Sequence, residues 1–205
     1  ANDNLMIGAA FGVTKTDIKH QDYKKGDKTE VTGTSFSLYA AQQLVNNFFA
    51  QGSAIFNLNH VKNKSQRYFF SDNGSINKQI ASGNYDNMTF SGKLMVGYDA
   101  SIMEGLLLTP VAGLSYLKSS DESYKETGTT VANKQVNSKF GDRTDLIAGA
   151  RLMGGTMNIM DFALYPEAHA FVTHKLNGKL AKGQSYLDGQ TQPFINTPDK
   201  TAKTS

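Results

Sequence analysis

Seven stretches of the chain alternate apolar residues with small or polar residues for about ten positions each. In the first stretch, Leu5, Ile7 and Phe11 fall in one phase, while Gly8 and Gly12 fall in the other. Side chains two residues apart lie on the same face of a strand. The pattern therefore predicts seven strands, each with one apolar face, at 5–14, 34–41, 48–59, 89–99, 106–116, 140–152 and 162–173.

The connections between these stretches alternate between long and short. Short turns are predicted at 44–47, 101–105 and 154–155, and the long connections are 15–32, 61–87, 118–139 and 174–200. Strands joined in this way form an antiparallel up-and-down barrel, and in outer-membrane barrels the short turns are periplasmic. We therefore expect the long connections to be extracellular loops.

Two all-β architectures fit the alternation, a transmembrane barrel and a soluble sandwich or binding barrel. Hydrophobic residues make up 39% of the chain and the mean hydropathy is −0.40, with no apolar run long enough for a membrane helix. The polar phase is mostly Gly, Ser, Thr, Ala and Asn, whereas an exposed soluble surface is usually rich in Lys and Glu. Strands of about ten residues also match the length needed to cross a membrane, so the membrane barrel is favoured.

In a membrane barrel the apolar phase faces lipid and the opposite phase lines the lumen. The residues predicted to face lipid are Leu5, Ile7, Phe11, Phe56, Leu94, Leu114 and Leu164. The charged residues predicted to line the lumen are Lys93, Asp99, Arg143, Asp145, Arg151, Glu167 and His169.

The chain opens with Ala-Asn-Asp directly before the first strand, without an initiator Met or a signal-peptide core. Seven strands would also leave an open edge in lipid, where backbone groups have no water to bind. We therefore expect residues 1–205 to be one partial barrel domain with strands missing at both ends.

The net charge of +3 does not indicate nucleic-acid binding, because most of the 21 Lys and Arg residues lie in the long connections. Only Lys93, Arg143 and Arg151 lie within predicted strands, and no strand face combines basic residues with aromatic ones. The chain has no Cys, and its four His residues are dispersed, so neither a metal site nor a cofactor is expected.

The charged lumen residues have two interpretations, a catalytic role and a structural role. The lumen carboxylates of Asp99, Asp145 and Glu167 are the candidates for a catalytic role. Charged lumen residues need partners in any case, so a lattice of salt bridges is the favoured interpretation. A lipase would need a Ser, a His and an orienting group together on the lipid face, and the phase of His169 is wrong for that. We therefore expect no enzyme activity.

The polar connections carry specific sequence strings, notably residues 62–70 (KNKSQRYFF) and 118–130 (KSSDESYKETGTT). With the strands around them, these strings make the chain resemble the β-domains of rickettsial surface-antigen autotransporters over its whole length. A Leu-x-Pro-x-Ala pattern at residues 108–112 and 164–168 is shared more loosely by autotransporter β-domains.

This resemblance implies a twelve-stranded translocator of which about seven strands are present here. It implies an outer-membrane location, a passenger domain that the barrel exports, and insertion by the barrel-assembly machinery. It also implies a role in adhesion to and entry into host cells, which makes the host-cell surface a further partner. The alternative is a surface-binding barrel whose basic extracellular loops contact host molecules directly.

Overall fold

A computed structural model of the chain describes residues 4–71, 73–130, 132–159, 162–179 and 183–196. Nearly all of this part consists of antiparallel strands. A single short 3-10 helix at 22–24 is the one helical element among these residues, and no helix in them is long and apolar enough to span a membrane.

The main sheet is a meander in which each long strand pairs with the next one along the chain. Its strands are β1 (Leu5–Lys19), β2 (Lys28–Gln43), β3 (Phe48–Phe70), β4 (Ile76–Tyr98), β5 (Ala100–Met103), β6 (Leu106–Asp121), β9 (Lys139–Gly154) and β12 (Glu167–Lys179). The order is β1-β2-β3-β4-β6-β9-β12, with β5 continuing β4 along β6. The predicted antiparallel up-and-down architecture is confirmed, and β1 and β12 are the edges of the described sheet.

The remaining strands are short. They are β7 (Tyr124–Lys125), β8 (Lys134–Val136), β10 (Met157–Ile159), β11 (Phe162–Leu164), β13 (Gly183–Leu187) and β14 (Phe194–Asn196). Strands β7, β8, β13 and β14 form a second sheet, called the cap sheet below, and β10 pairs with β11 in a small hairpin.

The turn at 44–47 is confirmed, and its backbone explains the sequence there. Asn46 and Asn47 both have positive φ, at 55° and 65°, which is the geometry of a type I′ hairpin turn. Asn tolerates this left-handed conformation better than most residues. The predicted turn at 101–105 is shorter, because β5 extends to Met103 and Gly105, at φ 75°, completes the reversal.

Two of the predicted long loops are instead continuations of the strands. The β3–β4 ladder runs without a break from Phe48↔Tyr98 to Phe70↔Ile76, so the connection 61–87 contains a turn of only about five residues. In the same way β1 and β2 pair as far as Lys19↔Lys28, which leaves 20–27 as the turn. Backbone pairing does not require an apolar face, so the ladder continues where the apolar alternation stops.

The connections 118–139 and 174–200 are also partly ordered strand. Strand β6 extends to Asp121, β12 extends to Lys179, and the cap sheet takes up most of what remains. The part of the last connection after residue 196 lies outside the described residues.

The two prolines of the Leu-x-Pro-x-Ala pattern, Pro110 and Pro166, interrupt the pairing of the strands. The β6–β9 ladder is continuous through Pro110, whereas the ladder to β4 stops at Gly97↔Val111 and resumes in β5 at Ala100↔Leu108 with the register unchanged. Proline has no N–H to donate. The interruption therefore leaves Tyr98 and Asp99 out of the ladder to β6, and because the register is kept it is not a bulge.

Pro166 divides the seventh predicted stretch into two strands. Its carbonyl accepts a bond from the Gly154 N–H at 2.9 Å, and β12 begins at the next residue. The first part of the stretch, β11, pairs with β10 and not with β9, so Leu164 lies opposite Met157 in the small hairpin. The predicted reversal at 154–155 is therefore wrong, since the chain extends beyond it into β10.

Candidate lumen and lipid-facing surfaces

The two faces of the main sheet differ sharply in exposure. On β4, Met95 is 5% exposed, while its neighbour Leu94 is 70% exposed. Thr109 and Ile147 are buried on the same face as Met95, and Leu114 is exposed on the same face as Leu94. We call the first the inner face and the second the outer face.

The inner face is concave. A 400 Å³ cavity is lined by Met6 of β1, Gln51 of β3 and Arg151 of β9, together with Asp99. In a flat sheet β1 and β9 would lie about 24 Å apart, because strands are spaced about 4.8 Å from each other. Side chains from both strands reach one cavity only because the sheet curls toward its inner face, as the wall of a barrel does.

All seven residues predicted to line the lumen share the inner-face register. Arg143 Nε donates to Asp145 Oδ1 at 2.6 Å. His169 Nδ1 lies 3.9 Å from Glu167 Oε1. Arg143 and Asp145 therefore form a local ion pair, and His169 and Glu167 lie beside each other. The predicted lattice of salt bridges stays a prediction.

The other three lumen candidates have no carboxylate or cation partner within the described part of the chain. Asp99 instead accepts a 2.7 Å hydrogen bond from the Thr109 hydroxyl, directly across the strands beside Pro110. Lys93 and Arg151 line one 420 Å³ cavity whose other walls include Phe49 and Ile147. The structure therefore brings these two cations to a shared, partly apolar space.

The outer face carries an apolar band with aromatic residues at both ends. Phe11, Phe36, Phe56 and Phe90 lie side by side in register across four strands, and Phe48 contacts Tyr98 at 4.8 Å between ring centroids near the turns. The band runs along β3 from Phe48 to Leu58, a distance of ten residue steps. That length is about 33 Å along the strand and about 25 Å in height at a tilt of about 40°.

The predicted lipid-facing residues fall within this band with one exception. Leu5, Ile7, Phe11, Phe56, Leu94 and Leu114 are all exposed on the outer face of the main sheet. Leu164 is exposed as well, but it belongs to the β10–β11 hairpin, as described above.

The chain after β6 folds over the inner face beyond the band, a feature that the sequence patterns did not reveal. Residue 127 pairs with Ser82 through two backbone hydrogen bonds of 2.8 and 2.9 Å, which covers the free edge of β4. Tyr124 stacks on Tyr85 at 4.9 Å and 12° between the rings. Burial raises the pKa of both phenols above their ordinary value.

A buried ion pair fixes this segment. Arg67 Nη2 donates to both carboxylate oxygens of Glu126 at 3.2 Å, and Glu126 is 6% exposed. Glu126 Oε2 also accepts the Lys134 backbone N–H at 2.9 Å. The cap sheet and the strand extensions enclose a 370 Å³ cavity between them, lined by side chains such as Asn63 and Val136.

Among the described residues, some of the charged side chains of the inner face are arranged in local pairs. Among the residues that the structure describes, no three His, Asp or Glu side chains form a group able to hold a metal ion. The carboxylates of Asp99, Asp145 and Glu167 face the inner space, each beside a different neighbour.

A family model that describes the autotransporter β-domain matches residues 1–205. The chain belongs to the autotransporter β-domain family. It is 76% identical over its whole length to outer membrane protein B of Rickettsia japonica and 71% identical to that of Rickettsia prowazekii. It is 34% identical, also over its whole length, to outer membrane protein A of Rickettsia conorii.

The chain spans 12% of the length of the outer membrane protein B relatives and 10% of the outer membrane protein A relative. The family and these relatives confirm the resemblance seen in the sequence, and they identify the chain as part of a bacterial outer-membrane autotransporter surface protein. This assignment favours the membrane barrel over the soluble alternative, and it indicates a structural or surface role.

Proposed function

We propose that the chain forms part of the wall of a translocator that anchors a passenger domain in the outer membrane and displays it at the cell surface. The observation that carries this proposal is the outer-face band, whose height of about 25 Å matches the apolar belt of outer-membrane barrels. The inner face is concave and carries charged side chains such as Lys93 and Arg151 in the same segments, which suits a hydrated pore. The strands outside this chain would complete the barrel.

In this proposal the outer face contacts membrane lipid and the inner face lines the lumen. The barrel-assembly machinery would insert the domain, and the passenger would pass through the space beside Lys93 and Arg151. The passenger would act in adhesion to and entry into host cells, as the resemblance implies. The barrel itself needs no cofactor and no catalytic residue for this role.

Adjacent residues of β4 provide a direct test. The chain contains no Cys, so Leu94→Cys and Lys93→Cys each introduce one labelling site in the β-domain of the full-length protein. A fluorophore at residue 94 should be quenched by brominated lipid and not by iodide, while a fluorophore at residue 93 should behave in the opposite way. If brominated lipid quenches the fluorophore at residue 93 and not the fluorophore at residue 94, the proposed membrane orientation is refuted.

A second candidate function is direct binding of host molecules by the extracellular part of the barrel. The tip of the β3–β4 hairpin favours it, since Tyr68, Phe70 and Ile76 are all more than 60% exposed there. Exposed apolar clusters of this kind often mark contact sites. The predicted loop 61–87 would then act as a rigid projecting hairpin that ends in an apolar tip.

One double variant separates the two functions. Phe70→Ser with Ile76→Ser removes the apolar tip and leaves the backbone ladder in place. If the tip binds host cells, cell binding by the passenger-free barrel should fall in this variant. In the full-length protein the same substitutions should leave the amount of displayed passenger unchanged. Unchanged cell binding would reject the second function without affecting the first.

A further inference from the structure

Three lysines lie side by side on the outer face above the apolar band. The register pairs Lys19 with Lys28 and Lys28 with Lys64, across β1, β2 and β3. We call these residues the lysine row. Like charges directly opposite each other destabilise a sheet, so this arrangement calls for a counterion.

The protein supplies only part of that counterion. Lys28 Nζ lies 2.6 Å from Glu30 Oε1 and 3.8 Å from Asp17 Oδ1. Within the described residues, neither Lys19 nor Lys64 has a carboxylate within ion-pair distance. The two outer members of the row therefore stay unpaired and exposed, while the central one is neutralised.

The row lies on the same face as the apolar band, beyond its end. Lys64 is six residues beyond Leu58, where the apolar band ends on β3. Six residues correspond to about 20 Å along a strand, or about 15 Å in height at a tilt of about 40°. Lys15 and Lys62 lie on the same face at intermediate heights, and long lysine side chains extend toward an interface.

We propose that the lysine row binds phosphate groups on glycolipid headgroups in the outer leaflet of the membrane. The argument is charge complementarity together with continuity, because the row extends the same face that carries the apolar band. Anionic headgroups attract basic side chains held near a membrane surface. This inference rests on the proposed lipid contact of the outer face.

The test uses the full-length protein refolded in detergent, with lipopolysaccharide as the probe and heat-modifiable gel mobility as the readout of folding. The variant Lys19→Gln/Lys64→Gln removes the two unpaired members of the row. The control variant Lys25→Gln/Lys78→Gln removes the same charge elsewhere in the extracellular part. Each protein is titrated at low salt with lipopolysaccharide, with dephosphorylated lipopolysaccharide and with inorganic phosphate.

We expect the row variant to bind lipopolysaccharide about 25-fold more weakly than the parent, since each of the two lysines near a charged surface contributes about fivefold. The control variant should bind as the parent does, and the difference should vanish with dephosphorylated lipid. Without lipid, the row variant should melt no lower than the parent, because the like-charge contacts are gone.

Equal lipopolysaccharide binding by the row and control variants would overturn the inference. If inorganic phosphate binds the parent as tightly as lipopolysaccharide does, the assignment of the ligand to a lipid would be overturned. The quenching of residue 94 described above reports separately on lipid contact, so failure of the lysine row and failure of the proposed function remain distinguishable.

Discussion

The buried pair between Arg67 and Glu126 should control whether the cap sheet stays closed over the strand extensions. The variant Glu126→Gln keeps the shape of the side chain but removes its charge. It leaves the Arg67 guanidinium, whose side chain is 20% exposed, without its carboxylate. Charged hydrogen bonds contribute about 1.5–3 kcal/mol, and breaking a fully buried pair costs about 3–5 kcal/mol.

Because Arg67 is partly exposed, the free-energy cost of Glu126→Gln should lie in the range for charged hydrogen bonds, at about 2 kcal/mol. That free energy corresponds to a roughly 30-fold larger population in which the segment 122–138 is detached. Limited proteolysis of the folded full-length protein should therefore cleave this segment about 30-fold faster, provided that opening and closing are fast relative to cleavage. Hydrogen exchange at the residue 127 amide should accelerate to a similar degree.

The adjacent residue provides a matched control. Lys125 Nζ lies 3.2 Å from Asp188 Oδ1, the same distance as in the buried pair, but both side chains are more than half exposed. Exposed pairs contribute little, so Lys125→Gln should change the cleavage rate by no more than about twofold. Equal acceleration in Lys125→Gln and Glu126→Gln would refute the argument that burial makes the Glu126 pair important.

Three further predictions concern the band and the cap. Leu94 lies midway along the outer-face band, so Leu94→Arg should destabilise the barrel by about 2–4 kcal/mol in a refolding titration, whereas Lys93→Arg should be neutral. A methyl group on Gly83 would come within 2.5 Å of the Tyr124 ring, so Gly83→Ala should detach the cap at a cost of about 1–3 kcal/mol, seen as faster cleavage of 122–138. Burial raises the pKa of Tyr85 and Tyr124, so the fold holds them neutral and cap stability should be constant below about pH 10, then fall as the pH rises through the folded-state pKa. Proteolysis that is unchanged up to pH 11 would contradict that reasoning.

The sequence predicted the strands of the apolar band well because there the two faces of the sheet differ in exposure. Lipid requires apolar side chains on one face only, which produces the period of two that is visible around Leu94 and Leu114. Beyond the band both faces contact water or polar neighbours, and the period disappears although the ladder continues. For that reason the strand ends at Phe70 and Ile76 could not be predicted from alternation.

The candidate site was predictable to a similar extent. The inner-face phase of Arg143 and Asp145 follows from their spacing of two residues, and so does their ion pair. The pair between Arg67 and Glu126 joins residues far apart in sequence, and neither lies in an apolar pattern. Such a contact depends on how the chain after β6 returns along β4, for which the sequence contains no local signal.

The extended β3–β4 hairpin and the cap sheet should behave as one structural unit. Val61 and Ala81 are buried on the inner face of the extension, where a bare two-stranded ribbon would leave them exposed to water. Isolated hairpins are marginally stable in water, and the burial of these residues indicates that the extension depends on its cover. Replacing 118–139 with a short Gly/Ser turn should therefore also increase hydrogen exchange in 61–87, so a binding phenotype from that swap cannot be assigned to 118–139 alone. Unchanged exchange in 61–87 after the swap would show instead that the hairpin is stable by itself, and only then could the two segments be tested independently.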